Sequence, residues 1–214
     1  MRMISLGPWD KNPKYCRACY QDIDANHGGA EITLSMLFAD VRGSTGLAEG
    51  MAPRAYSELL NRFYEVAARV LVEREAIVDK FVGDEVVALF VPGMAGLDHA
   101  AKAIDAGVAL LDATGHATGE EPWIPIGGGV HTGVAFVGSV GDRGVTDFTA
   151  LGDSVNTTAR LASAAGAGEL LVTRAAADAA GVVDRPEERR LELRGRVEPV
   201  DVVVLRAGRS HKPV

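Results

Sequence analysis

The chain has 214 residues, of which 47% are apolar and 24% charged, enough to pack one sizeable core and too apolar for a disordered polymer. Its net charge of −7 argues against non-specific binding to nucleic acid or anionic lipid, and its densest apolar runs fall far short of the ~20 residues a membrane span needs. No stretch reads as a secretory leader and two cysteines cannot build a disulfide framework, so a water-soluble, cytoplasmic protein is the expectation.

Residues 1–30 follow neither the helical nor the strand period and predict an irregular N-terminal extension. Within it, Cys16-x-x-Cys19 and His27 amount to three zinc ligands where a structural site takes four, so reduced thiols are expected. In "EITLSMLFAD", Leu34, Met36 and Phe38 alternate with their neighbours and predict a strand. Apolar positions from Tyr56 to Leu71 recur at helical spacing. "AIVDKFV" and "EVVALFV", separated by Gly83-Asp84, read as a hairpin, and His99–Leu111 as a second helix. "IPIGGGVHTG" and "VAFVGSVG" suggest another hairpin, because clustered glycines mark turns or close approaches. "TDFTAL" predicts a strand, "DSVNTTARLASAA" a helix, "ELLVT" a strand, Ala175–Ala180 a short helix, and "RRLELR" and "PVDVVVLR" the closing strands. The order implies an α+β domain with helices covering one face of a sheet, and the hairpin forbids a purely parallel one. His131 reads as a packed structural residue and Trp123 as a loop anchor.

The chemistry gathers at three places. Asp40 ends the first strand and Asp84 sits at the hairpin tip. With the first strand beside the one that follows its crossover, the two carboxylates converge at a sheet edge. Paired carboxylates suit a hard cation completed by substrate phosphates. Arg42, Gly43, Ser44 and Thr45 open the first long helix in this reading, offering free N–H groups to a phosphate chain. In "DFTALGDSVNTTARL", Asp153 reads as an N-cap, and Asn156 and Arg160 project from one helix face, an amide and a guanidinium suited to a phosphoryl oxygen gaining charge. Taken singly, a turn aspartate or an exposed Asn/Arg pair is ordinary; the combination points to nucleoside triphosphate chemistry.

"LFADVRGST", "KFVGDEVVALF", "GGGVHTGVAFVGSVG" and "DFTALGDSVNTTARL" together resemble the class III adenylate/guanylate cyclase catalytic domain over residues 31–206, leaving the extension 1–30 and a polar tail 207–214. The resemblance implies a ferredoxin-like βαββαβ palm with extra C-terminal strands and helices, the helices packed on a mostly antiparallel sheet. It implies a homodimer with two sites shared between protomers, and two divalent cations per site, Mg²⁺ or Mn²⁺. Asp40 and Asp84 match the metal carboxylates and Val41 the carbonyl donor. Asn156 and Arg160 match the transition-state residues of the other protomer. Lys80 and Thr149 match the adenylate-type base contacts, a donor for adenine N1 and an acceptor for its 6-amino group. Arg194 stands where many members carry a phosphate-binding lysine. The implied reaction converts ATP to 3′,5′-cyclic AMP and pyrophosphate. The alternatives are a guanylate cyclase, which fits Lys80 poorly, and a catalytically weak nucleotide-binding regulatory dimer. A diguanylate cyclase fits less well, because Val82 and Val86 break its Gly-Gly-Asp-Glu-Phe signature.

Overall fold

The computed structural model describes residues 7–16, 28–142, 145–196 and 198–208. The extension, expected to be irregular, contains a two-stranded antiparallel ribbon, β1 (Pro8–Trp9) and β2 (Asn12–Cys16). Strands this short, one carrying Pro8 and the other Pro13, have no readable period, and a lone ribbon is marginal in water. Docking holds it in place. Trp9 is buried, Val78 N–H donates to the Lys11 carbonyl at 2.8 Å, and the buried Asn12 amide donates to the Ala76 carbonyl at 2.8 Å. Cys19 and His27 lie outside the described residues, as do the last residues of the polar tail.

The main sheet begins with β3 (Gly29–Val41). Short α1 (Ser44–Gly50) and long α2 (Pro53–Glu73) lead to the hairpin β4 (Ile77–Val82) and β5 (Glu85–Phe90). After a single turn, α3 (Pro92–Ala95), come α4 (His99–Ala113), β6 (Ile126–Asp142) and β7 (Val145–Leu151). The chain closes with α5 (Asp153–Ala164), β8 (Glu169–Thr173), α6 (Arg174–Ala179), β9 (Glu188–Leu191) and β10 (Val200–Arg206).

Eight strands form one sheet in the order β4-β5-β3-β6-β8-β10-β9, with β7 added on the far end of β6. Among the described residues, only the β6–β8 pair is parallel. The neighbour of β3 is β5, not the strand that follows its crossover: the helices carry the chain past the adjacent slot, and the hairpin then fills it.

Two expectations are corrected here. Residues 126–142 form one strand rather than a hairpin. It stays in register with β3 from Val41↔Ile126 to Gly29↔Gly138, and its glycines serve close packing. A Cβ on Gly129 would lie 2.5 Å from Leu161 Cβ, and one on Gly127 2.6 Å from the Gly166 carbonyl, so α5 can approach only because both positions are bare. Helices also cover both faces. On one, Leu37, Ala39 and Val41 pack with Phe63 and Leu71 of α2 and Ile104 and Leu111 of α4. On the other, Leu34, Met36 and Phe38 pack with Trp9, Phe148 and Ala162 of α5. The period-2 alternation of β3 thus feeds two cores, as in strands buried on both sides. Among the described residues no helix is long and apolar enough to cross a membrane.

Candidate active site

The acidic group forms where β3 ends beside the β4–β5 turn. Asp40 is in register with Glu85, and Val41 N–H reaches the Asp84 carbonyl at 3.3 Å. The Asp84 side chain comes within hydrogen-bonding reach of the Asp40 carboxyl. Burial pushes Asp40 above its usual range, Arg42 pulls it back, and Asp84 pushes it up again. The Glu85 carboxyl is pushed up to about 7, by burial first and then by Asp40 and Asp84, against the pull of Arg42. Like charges crowd one another here, and an added cation relieves that crowding. Two aspartates with a backbone carbonyl suit a hard cation that completes its shell with phosphate oxygens. A protein-only cage is a different matter: among the described residues no group of three or more acidic, His or Cys side chains is arranged to hold a metal.

The Arg42 guanidinium turns back into the fold. It pairs with the Asp40 carboxylate, and donates to the Asp40 carbonyl at 3.2 Å and to the Ser163 and Ala165 carbonyls at the end of α5 at 3.1 and 3.2 Å. Gly43 takes a left-handed conformation (φ 69°) and N-caps α1, with Ser44 and Thr45 in its first turn. This loop therefore opens a seven-residue helix and not the first long one, which starts at Pro53.

A second group assembles where the β6–β7 hairpin approaches β4. The Thr149 hydroxyl donates to Asp79 Oδ2 at 2.7 Å, and Lys80 Nζ binds Asp147 Oδ2 at 2.8 Å. Lys11 of the ribbon turn inserts between them, with Nζ 2.7 Å from both Asp79 Oδ1 and Asp147 Oδ1, and also donates to the Phe148 carbonyl. The Asp79 side chain is 2% exposed. Burial acts against the charged form of Lys80, yet hydrogen bonding to Asp147 and the nearby Asp79 charge leave its pKa raised.

The third group lies on α5. Gly152 (φ 140°), not Asp153, is the N-cap. A β7-to-helix entry at this φ suits glycine, which leaves Asp153 in the first turn, bound to Arg196 at 2.7 Å. Asn156 is exposed in that turn, and Arg160 lies against the Arg194–Gly195 turn, its Nη2 3.3 Å from where a Gly195 Cβ would stand. Arg194 is exposed in the same turn.

One chain thus brings Asp40 with Asp84, Lys80 with Thr149, and Arg160 with the Arg194 turn. Asn156 stays apart from the acids. The α5 carbonyls bound by Arg42 end the helix, and Asn156 sits about 10 Å of helical rise away in its first turn. Sequence reasoning missed Glu85, Asp79, Asp147 and Lys11. Glu85 and Asp79 each adjoin a residue it singled out, whereas nothing local to Lys11 announces a partner 68 residues away.

These groups sit in a chain whose residues 30–205 match the family described as the adenylate and guanylate cyclase catalytic domain. An adenylate cyclase of Anabaena cylindrica is 33% identical over 150 residues, 66% of this chain and 29% of that protein. Among solved structures, the adenylyl cyclase CyaB from P. aeruginosa is 27% identical with a TM-score of 0.77, covering 86% of this chain and 98% of that one. The guanylyl cyclase Cya2 is 28% identical with a TM-score of 0.76, covering 83% and 93%. The chain spans about a third of the length of the curated relatives it matches. It belongs to the adenylate and guanylate cyclase catalytic-domain family.

Proposed function

We propose that the chain is an adenylate cyclase working as a homodimer with shared sites. The observation that carries this reading is the approach of Asp40 and Asp84 at adjoining strand ends, in a charge-crowded setting a divalent cation would relieve. Asp40, Asp84 and the Val41 carbonyl would hold two divalent cations. When bound, Mg²⁺ or Mn²⁺ supplies acidification of the ribose 3′-hydroxyl and neutralisation of pyrophosphate charge. The 3′-oxygen bonds to the α-phosphorus, the bond to pyrophosphate breaks, and the hydroxyl proton leaves to solvent.

The chain's own residues bind and orient. Backbone N–H groups of Gly43, Ser44 and Thr45 face the phosphates, and Arg194 adds charge from the C-terminal turn. The Arg42 side chain anchors Asp40 and the end of α5, so its share in substrate binding is indirect. Asn156 orients the ribose and Arg160 offsets charge on the α-phosphoryl group, both reaching the acids of a second copy. Separation of Asn156 from Asp40 along α5 and the exposure of its side chain support this sharing. Lys80 and Thr149 select adenine, the lysine donating to N1 and the threonine accepting from the 6-amino group.

Incubating the purified chain with ATP or GTP and Mg²⁺ or Mn²⁺, and separating the products, tests the reading. Cyclic AMP as the main product supports it. Cyclic GMP as the main product overturns the base assignment, and nucleotide binding without turnover would make the chain a regulatory module.

A further inference from the structure

The N-terminal ribbon lies outside the palm, yet its turn delivers a lysine into the base-selecting group. We propose that Lys11 is a positioning residue for purine choice: by pairing with Asp79 it makes the Thr149 hydroxyl a pure acceptor toward the base. This rests on the adenylate cyclase reading and deepens it.

The argument follows the protons. An ionised carboxylate only accepts, so Lys11 and Thr149 must both donate to Asp79, at 2.7 Å each. That uses the single Thr149 proton and leaves only lone pairs for a ligand. Adenine presents a 6-amino donor there, whereas guanine presents O6, which would meet an oxygen with no proton to give. Lys11 is the close cation on Asp79, since Lys80 stands 3.6 Å from Asp79 Oδ2 and spends its short contact on Asp147. With Asp79 almost wholly out of water, solvent does not replace Lys11, and a buried carboxylate without its cation is strongly disfavoured. Lys11 also shares Asp147 with Lys80, which keeps that carboxylate from engaging Lys80 alone. The ribbon fixes the lysine through its backbone bond to Val78 and through Trp9, packed edge-on against Phe148 at 5.4 Å, the residue before Thr149.

The test compares kcat and KM for ATP and GTP in the full chain and in Lys11→Met, Lys11→Arg and Asp79→Asn. The amide of Asp79→Asn can donate to Thr149 and free its proton for guanine O6. The ATP-over-GTP ratio of kcat/KM should then fall by about tenfold or more, carried mainly by KM. Lys11→Met should shift the ratio in the same direction and Lys11→Arg should restore it. If Lys11→Met does not fold, Asp79→Asn carries the test alone. Folded variants that keep the unsubstituted ratio overturn the role of Lys11. An unsubstituted chain that does not prefer ATP overturns the underlying reading, and this inference with it.

Discussion

His131 shows how one buried titratable group shapes acid stability. Its ring shares a hydrogen bond of 3.0 Å with the Thr173 hydroxyl, and its pKa is lowered to about 4, by burial first and then by Arg196, with Asp153 opposing. The folded state therefore prefers the neutral ring. Its contribution is full above the ordinary histidine value and is lost as pH falls through about 4, at up to about 1.4 kcal/mol per pH unit in that window. Urea unfolding at pH 7.0 and 5.0 should show a smaller acid loss in His131→Asn than in the unsubstituted chain. Equal losses would remove His131 from the account. At the same scale, Arg160→Ala should lower kcat about 100- to 1,000-fold with little change in nucleotide KM, as expected for a group acting on developing charge. That split is read from steady-state cyclic nucleotide formation. Asp40 and Asp84 stood out in the sequence as a strand end and a hairpin tip, whereas Lys80 and Thr149 were singled out only by the family resemblance. Asp79 and Lys11 were hidden because an aspartate and a lysine far apart in sequence say nothing about each other until the ribbon docks.

At the scale of elements, periodicity served where one face met one core. It found α2, α4, the β4–β5 hairpin and the closing strands. It failed on β6, where Gly127–Gly129 look like a turn; instead Gly127 and Gly129 are bare beneath α5 and the residues that end it, while Gly128 faces Leu170 on the other side of the sheet. Gly129→Val should therefore force helix and strand apart, costing about 2–3 kcal/mol, or about 5–10 °C in Tm for a chain of this size by calorimetry. Activity should fall further than stability, since α5 carries Asn156 and Arg160. A melting temperature within a degree of the parent would show that α5 has room to move. The ribbon escaped sequence reading for a different reason: strands of two and five residues gain their order from the surface they cover, not from their own pattern.

At the scale of the whole molecule, the acids near the end of β3 and Asn156 in the first turn of α5 make complementation the direct check on shared sites. Asp40→Ala and Asn156→Ala should each be inactive. After equal mixing and re-association, half the dimers pair unlike chains with one intact site each, so about a quarter of parental activity should return. A mixture as inactive as its components excludes sites built from two chains. The seventeen-residue β6 adds a mechanical consequence. It borders β3 along most of its length, β8 at one end and β7 at the other, so neither half of the sheet can come loose without severing this common girder. Its central amides should be among the last to exchange with deuterium, and the region of the acids and the region of the base contacts should melt as one unit.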